Sequence, residues 1–223
     1  MKSICVHMLA RDSDDFIEIC LLAVLLFVDR VIVVLDSRSK DGTREILKRL
    51  QETYKQLEVV EFEVGEPDDL VKARNKQLEL TYEDWIWILD SDELYPVEVI
   101  NEILKEIRNP KVDTLALTSW AVWNKEEYHV STSRIPSARL FRNSLDLEWR
   151  GKFGKERLYR EEEKLWDKDN PRPQVRVLNE KYIHFTHVKK DRWREEMGQE
   201  RKADDRNLRK LPSSIINITS KIL

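Results

Sequence analysis

Three carboxylates arrive together in the run Trp85-Ile86-Trp87-Ile88-Leu89-Asp90-Ser91-Asp92-Glu93, directly behind five apolar residues. Carboxylates crowded at one point repel one another and resist ionisation unless a cation sits among them. Hard divalent ions such as Mg2+ or Mn2+ take oxygen ligands, commonly one or two carboxylates plus substrate phosphates. An Asp-Ser-Asp at the end of a buried strand is therefore a device for holding a metal against a diphosphate. The other reading is a solvated strand end whose acids favour the N-terminus of the next helix. The tripeptide alone leaves both open. A further acid, Asp36, closes the β-branched run RVIVVLD, and Arg74 lies in VKARNKQL. Glu156 sits in a charged and aromatic stretch, and His184 and His187 share the segment KYIHFTHV. A lone strand histidine is usually a hydrogen-bonded core residue. Two at this spacing suit one metal ligand without telling which.

These residues need elements to position them. ICVHML (4–9), RVIVVLD (30–36), LEVVEFEV (57–64), WIWIL (85–89) and VDTLALTSWAVW (112–123) read as strands. Between them FIEICLLAVLLF (16–27), TREILKRLQETY (43–54), DLVKARNKQLELTY (69–82) and PVEVINEILKEIRN (96–109) read as helices. Pro96 suits the first turn of the last of these, and Asp68 or Asp69 is a plausible N-cap. Alternating apolar strands and helices predict an α/β fold, a mostly parallel sheet covered on both faces. Ligands in such sheets bind outside the carboxyl ends of the strands, so Asp36 and Asp90 are expected on one rim. Beyond Trp123 the pattern loosens. RIPSARLFRN (134–143) predicts a strand, and the stretch from Trp149 to Arg176 predicts a long functional loop or lid. KYIHFTHV (181–188) predicts a last strand, followed by a very polar helix to about Lys210 and the tail SSIINITSKIL.

The 223 residues carry 39 basic and 42 acidic side chains, net −3, so no global field points to nucleic acid. Dense Lys, Glu and Arg with only five glycines fit a thermophilic source. Cys5 and Cys20 make neither a disulfide framework nor a zinc site, and read as core residues of a reducing compartment. MKSICVHMLARDSDD has no apolar h-region, and the longest apolar run spans 10 residues, Ile19 to Val28, where a membrane span needs about 20. The expected location is cytoplasmic, with membrane docking or self-association open through the C-terminal helix and apolar tail. Neither GxGxxG nor GxxxxGK[ST] occurs, which disfavours dinucleotide dehydrogenases and P-loop kinases.

Taken in order, DSRSKDGT (36–43), VKARNKQL (71–78) and WILDSDE (87–93) resemble the family 2 glycosyltransferases, which have the GT-A fold. RIPSARLFRN, LEWRGKFGKERL and YIHFTHV extend the resemblance toward the bacterial lipopolysaccharide-core glucosyltransferase-like branch, over residues 3–190. The resemblance implies a domain at 1–190, with a nucleotide-binding half to about 95 and an acceptor half beyond it, and 191–223 as an appended helix and tail. It implies a nucleoside diphosphate sugar donor, a UDP-sugar favoured, and a hydroxyl acceptor that is a glycan, lipid-linked or protein. Asp36 would accept from the base, Asp41 support the turn, Arg74 lie near the nucleotide, Asp90 meet ribose or metal-bound water, and Asp92 ligate Mn2+ or Mg2+. A C-terminal histidine, His184 before His187, would reach the metal or diphosphate. Glu156, after Trp149-Arg150-Gly151, would be the base of an inverting transfer, with Glu161, Glu162 and Glu163 as competitors. Trp123 and Trp149 are candidates for stacking on the acceptor. The chain departs from the family pattern at Arg38, where glycine is usual, at Asp12, where asparagine is usual, and at Lys155, where histidine is usual. Arg38 would then stand near the nucleotide. Two other readings stay open: a non-catalytic GT-A-like binding or assembly module, and a haloacid-dehalogenase-type phosphatase. Leu94 argues against the second, which takes Thr or Val there.

Overall fold

A computed structural model of the chain describes residues 2–66, 68–122, 129–132, 135–144, 146–152, 155–185 and 209–210. Four strands, β1 (Ile4–Ala10), β2 (Arg30–Asp36), β3 (Leu57–Phe62) and β4 (Trp85–Ile88), pair in parallel in the spatial order β3-β2-β1-β4. The helices α1 (Ile17–Leu25), α2 (Thr43–Thr53) and α3 (Asp69–Glu79) are their crossovers. Strand residues alternate between faces, and β4 shows what that does here. Trp85 and Trp87 enter a core with Val6, Met8, Leu21, Val33 and Leu47, whereas Ile86 and Ile88 join Phe141, Trp149, Leu158 and Leu165 on the opposite face. Every β4 residue is thus buried, which is why WIWIL reads as one continuous apolar run. Removing either tryptophan side chain from such packing costs about 3–5 kcal/mol.

Beyond β4 the parallel order stops. The next neighbour is β8 (Ser137–Arg142), antiparallel to β4 and also to β6 (Thr114–Val122). β7 (His129–Thr132) continues the sheet beyond β6. β5 (Glu93–Leu94), directly after the acidic turn, pairs antiparallel with the end of β12 (Val175–His184), so that His184 stands opposite Glu93. β12 also runs parallel to β6. α4 (Val97–Glu106) packs against β12. Pro96 is one residue outside α4, at φ −57 and ψ 154, rather than in its first turn. Asp68 precedes α3 without a side-chain cap, and Asp69 instead accepts the N–H groups of Gly65 at 3.0 Å and Glu66 at 2.7 Å.

The stretch expected as a long loop contains short strands between its turns. β9 (Leu147–Arg150), β10 (Arg157–Arg160) and β11 (Glu163–Lys164) form a separate three-stranded antiparallel meander. Sequence reading misses it because each strand is short and mostly charged. Its stability comes from Trp149, Leu158 and Leu165 inserting beneath the main sheet. Asp113 adds an anchor, accepting from Arg172 at 2.8 Å and Arg160 at 3.4 Å. Gly151 turns the chain at φ +112, and a Cβ there would lie 2.6 Å from the Lys155 carbonyl oxygen, so glycine is required. β12 likewise begins at Val175, six residues before the expected strand. The expected C-terminal helix and tail lie outside the described residues, except that Arg209–Lys210 form β13, paired with the open edge of β7 rather than ending a helix.

Candidate functional site

Because β2, β1 and β4 run parallel, Asp36 at the end of β2 and Asp90 just past β4 share the carboxyl edge of the sheet. The two turns are built differently. Asp36 is 2% exposed. Its Oδ1 accepts the Arg38 backbone N–H at 3.0 Å and Nε at 3.3 Å, and its Oδ2 accepts Nη2 at 3.2 Å. Arg11 Nε stands 3.7 Å from Oδ2. Arg38, where the resemblance expects glycine, therefore closes over the Asp36 carboxylate. Asp41 holds the turn by accepting the N–H groups of Asp14 at 2.9 Å and Thr43 at 3.0 Å. Asp12 has φ +45, a left-handed conformation that Asn and Asp tolerate well, and its Oδ1 accepts the Lys40 N–H at 2.8 Å.

At the second turn, Asp90 faces two guanidiniums, Arg139 Nη1 at 3.2 Å and Arg74 Nη2 at 3.8 Å. Burial pushes its carboxyl up, but Arg139 and then Arg74 outweigh this and hold it below the usual range. Arg74 also lies 5.0 Å over the Trp149 ring, and Asn75 fixes the Trp149 backbone through bonds of 2.8 and 3.0 Å. Asp92 is 4% exposed, with its Oδ2 3.6 Å from His184 Nε2 and its carbonyl accepting the Phe185 N–H at 2.9 Å. Burial opposes a charged His184, yet the attraction of Asp92 leaves its pKa raised. Ser91 and Ser13 share a hydroxyl hydrogen bond of 2.8 Å. Glu93 is fully buried and contacts Arg139 Nη2, and Tyr182 Oη accepts from the same guanidinium at 3.1 Å. Burial pushes the Glu93 carboxyl up to about 7 against the pull of Arg139.

The donor set can be tested against a cation. No cluster of three or more His, Cys, Asp or Glu able to hold one occurs among the described residues. Asp92 and His184 do pair a carboxylate with an imidazole side by side, a combination that suits Mn2+ when substrate oxygens complete the shell. The residues present therefore fit a two-ligand site, with Asp90 turned toward the arginines instead. His187 lies outside the described residues.

A cavity of about 500 Å³ opens beside Asp90 and runs to the meander, with Arg74, Arg139, Trp149, Glu156 and Trp166 among its walls. Glu156 and Asp90 thus face one space, whereas Glu161, Glu162 and Glu163 are exposed and not part of its lining. Trp149 is a packed wall, edge-on to Phe141 and covered by Arg74. Trp123 lies outside the described residues. Asp36 and Arg38 belong to the other side of the edge, outside this cavity. Arg139 and Tyr182 were not singled out from the sequence. Their strands were legible, but nothing local ties a β8 arginine to a turn more than 40 residues away.

A parallel sheet in this order, covered by helices and carrying acidic turns on its carboxyl edge, is the GT-A architecture. Residues 3–166 match the profile of Glycosyl transferase family 2, and the chain belongs to that family. This membership leaves no place for the phosphatase alternative. A TPR repeat-containing protein of Synechococcus elongatus is 32% identical over 151 residues, which cover 67% of this chain and 34% of that protein. The chain therefore spans about a third of the length of this curated relative. Among solved structures, S. aureus TarS 1-349 superposes with a TM-score of 0.55 at 20% identity, covering 82% of this chain and 60% of that one. The mannosyltransferase PcManGT from Pyrobaculum calidifontis, in complex with GDP-Man and Mn2+, gives a TM-score of 0.45 at 20% identity over 62% of this chain and 44% of its own. No helix among the described residues is long and apolar enough to cross a membrane.

Proposed function

We propose that this chain moves a sugar from a nucleoside diphosphate donor, a UDP-sugar favoured, to a hydroxyl acceptor in a metal-dependent, inverting reaction. The observation that carries the reading is one cavity lined by Asp90, Arg74 and Glu156, with Asp92, two residues on from Asp90, paired with His184. A divalent cation held by Asp92 and His184 would supply Lewis-acid neutralisation of the departing diphosphate. Arg74 lies where the nucleotide would enter, and its guanidinium, stacked on Trp149, is held in place before any ligand arrives. Asp36 has its carboxylate directed by Arg38, so base recognition at this turn involves the Arg38–Asp36 pair acting together. Glu156, half-buried on the cavity wall, takes the proton from the acceptor hydroxyl as general base. The acceptor, a glycan, lipid-linked or protein, lies along the wall that includes Trp149 and Trp166. A place near the lipopolysaccharide-core glucosyltransferase branch rests on RIPSARLFRN and LEWRGKFGKERL.

Thermal unfolding tests this, because a ligand that binds only the folded state raises the melting temperature by mass action. Wild type and Asp92→Asn are compared against nucleoside diphosphates and their sugars, with and without Mn2+. The expected result is a metal-dependent rise with a uridine nucleotide in wild type that disappears in the variant. A wild type insensitive to every nucleotide would instead favour the non-catalytic binding or assembly module.

A further inference from the structure

Arg139 makes more polar contacts at the edge of the sheet than the acidic turn's sequence suggests. From β8 it reaches Asp90 Oδ2 at 3.2 Å through Nη1 and Glu93 Oε1 through Nη2. Nε and Nη2 also donate to Tyr182 Oη at 3.3 and 3.1 Å. The guanidinium lies 5.4 Å over the Tyr182 ring, which stacks on Tyr95 at 4.9 Å with the planes 4° apart. Tyr182 stands two residues before His184 on β12, so one side chain spans the acidic turn and the strand that brings the histidine. The Arg139 side chain is 14% exposed. Only the planar, multi-donor fork of arginine can satisfy these groups at once; a lysine ammonium is a point charge.

The three acids of the turn are consequently not equivalent. Asp90 and Glu93 point to Arg139, while Asp92 points to His184. We propose that Arg139 is a positioning residue that sorts these carboxylates, withholding Asp90 and Glu93 from a divalent cation and leaving it to Asp92 and His184. Asp90 is thereby kept on the Arg74 side, where it can serve the donor. The inference rests on the donor reading above. It adds a consequence with an unusual sign. A buried cation beside the turn opposes a second cation there, so removing it should tighten binding of the metal alone while harming the donor. Asp90, once released, turns to the metal and leaves its nucleotide contact.

The test is isothermal calorimetry of Mn2+ without nucleotide, and of UDP at saturating Mn2+, on wild type, Arg139→Met and Arg139→Lys. For Arg139→Met, Mn2+ is expected to bind about tenfold more tightly and UDP about tenfold more weakly, since the lost charge had opposed the metal. A purely structural role would weaken both, and that result, or no change in either, overturns the proposal. If Arg139→Met does not fold, Arg139→Lys decides. It retains the charge, so Mn2+ affinity should stay within about twofold of wild type while UDP affinity falls about fivefold, the fork being lost. Equal changes in both, or none, again overturn the sorting role. A wild type that binds neither Mn2+ nor UDP overturns the donor reading and this proposal together. A wild type that binds both, with variants lacking the opposed signs, removes only Arg139's part.

Discussion

The turns after β2 and β4 stand on the same sheet edge, each presents aspartate, and each is matched by arginine. They differ in where the arginine comes from. Asp36 is held by Arg38, two residues on, with Arg11 from the neighbouring strand end, so its surroundings are assembled largely within the turn itself. Asp90 and Glu93 are held by Arg139, whose partners lie 49 and 46 residues away along the chain. A locally assembled turn survives the loss of one side chain because the backbone N–H of Arg38 still donates to Asp36. The distant one leaves a fully buried carboxylate when its cation is removed. Local contacts here make a robust turn, and long-range contacts make a turn whose carboxylates are set by the rest of the fold.

The largest expected difference is in stability. Breaking a buried ion pair by removing one partner typically costs about 3–5 kcal/mol. Arg139→Met should fall near the lower end, because Glu93 can take up a proton and part of the cost is recovered. Urea denaturation of Arg139→Met beside Arg38→Met measures the contrast, and equal losses would break it. Asp36→Asn comes next, at about 2 kcal/mol, since it weakens charge-assisted hydrogen bonds at a buried site while keeping an oxygen for the backbone N–H. The same variant should weaken uridine nucleotide binding; unchanged affinity would remove Asp36 from the donor site.

β1 lies between the two turns and supplies a pH-dependent reference. His7 is fully buried, its Nε2 2.6 Å from Thr81 Oγ1, and burial, then Arg74 and Arg30, lower its pKa to about 3. The unfolded chain binds a proton near pH 6.5 and the folded chain does not until about pH 3. Stability from this group is therefore whole above pH 6.5 and falls through the window below it, by about 1.4 kcal/mol per pH unit. His7→Gln should flatten that part of the acid-unfolding profile; a profile of unchanged slope would refute the assignment. The smallest effect belongs to Arg38→Met, because the Arg38 side chain is 35% exposed. Screened by solvent, that pair should contribute less than about 1 kcal/mol, again read by urea denaturation.

Much of the first half was legible before folding. The continuous apolar runs at 31–35 and 85–89 identified strands buried on both faces, and the polar turns after them put Asp36 and Asp90 on one rim. The meander was not legible. GKERLYREEEKLW reads as charge, and only the burial of Leu158 and Leu165 against Trp149 turns it into sheet. The resemblance points to Glu156, and Glu156 and Asp90 both line the same cavity. Trp149 lines that cavity with Arg74 over its ring, a contact that no local pattern in the sequence announces. The identity of Arg139 as the partner of the acidic turn had no local signal, because β8 enters the sheet out of sequence order between β4 and β6.

By itself, the order of apolar and polar residues determined the parallel strands, their crossover helices and the acids at their ends. Periodicity and strand termination are local properties, written within a few residues of each position. Tertiary structure alone decided how the charges at those ends are neutralised. Inserting β8 antiparallel beside β4 and pairing β12 with β5 bring Arg139, Tyr182 and His184 to carboxylates far from them in sequence. In a buried site each of those charges must find a partner, and here the sheet's topology determines which one.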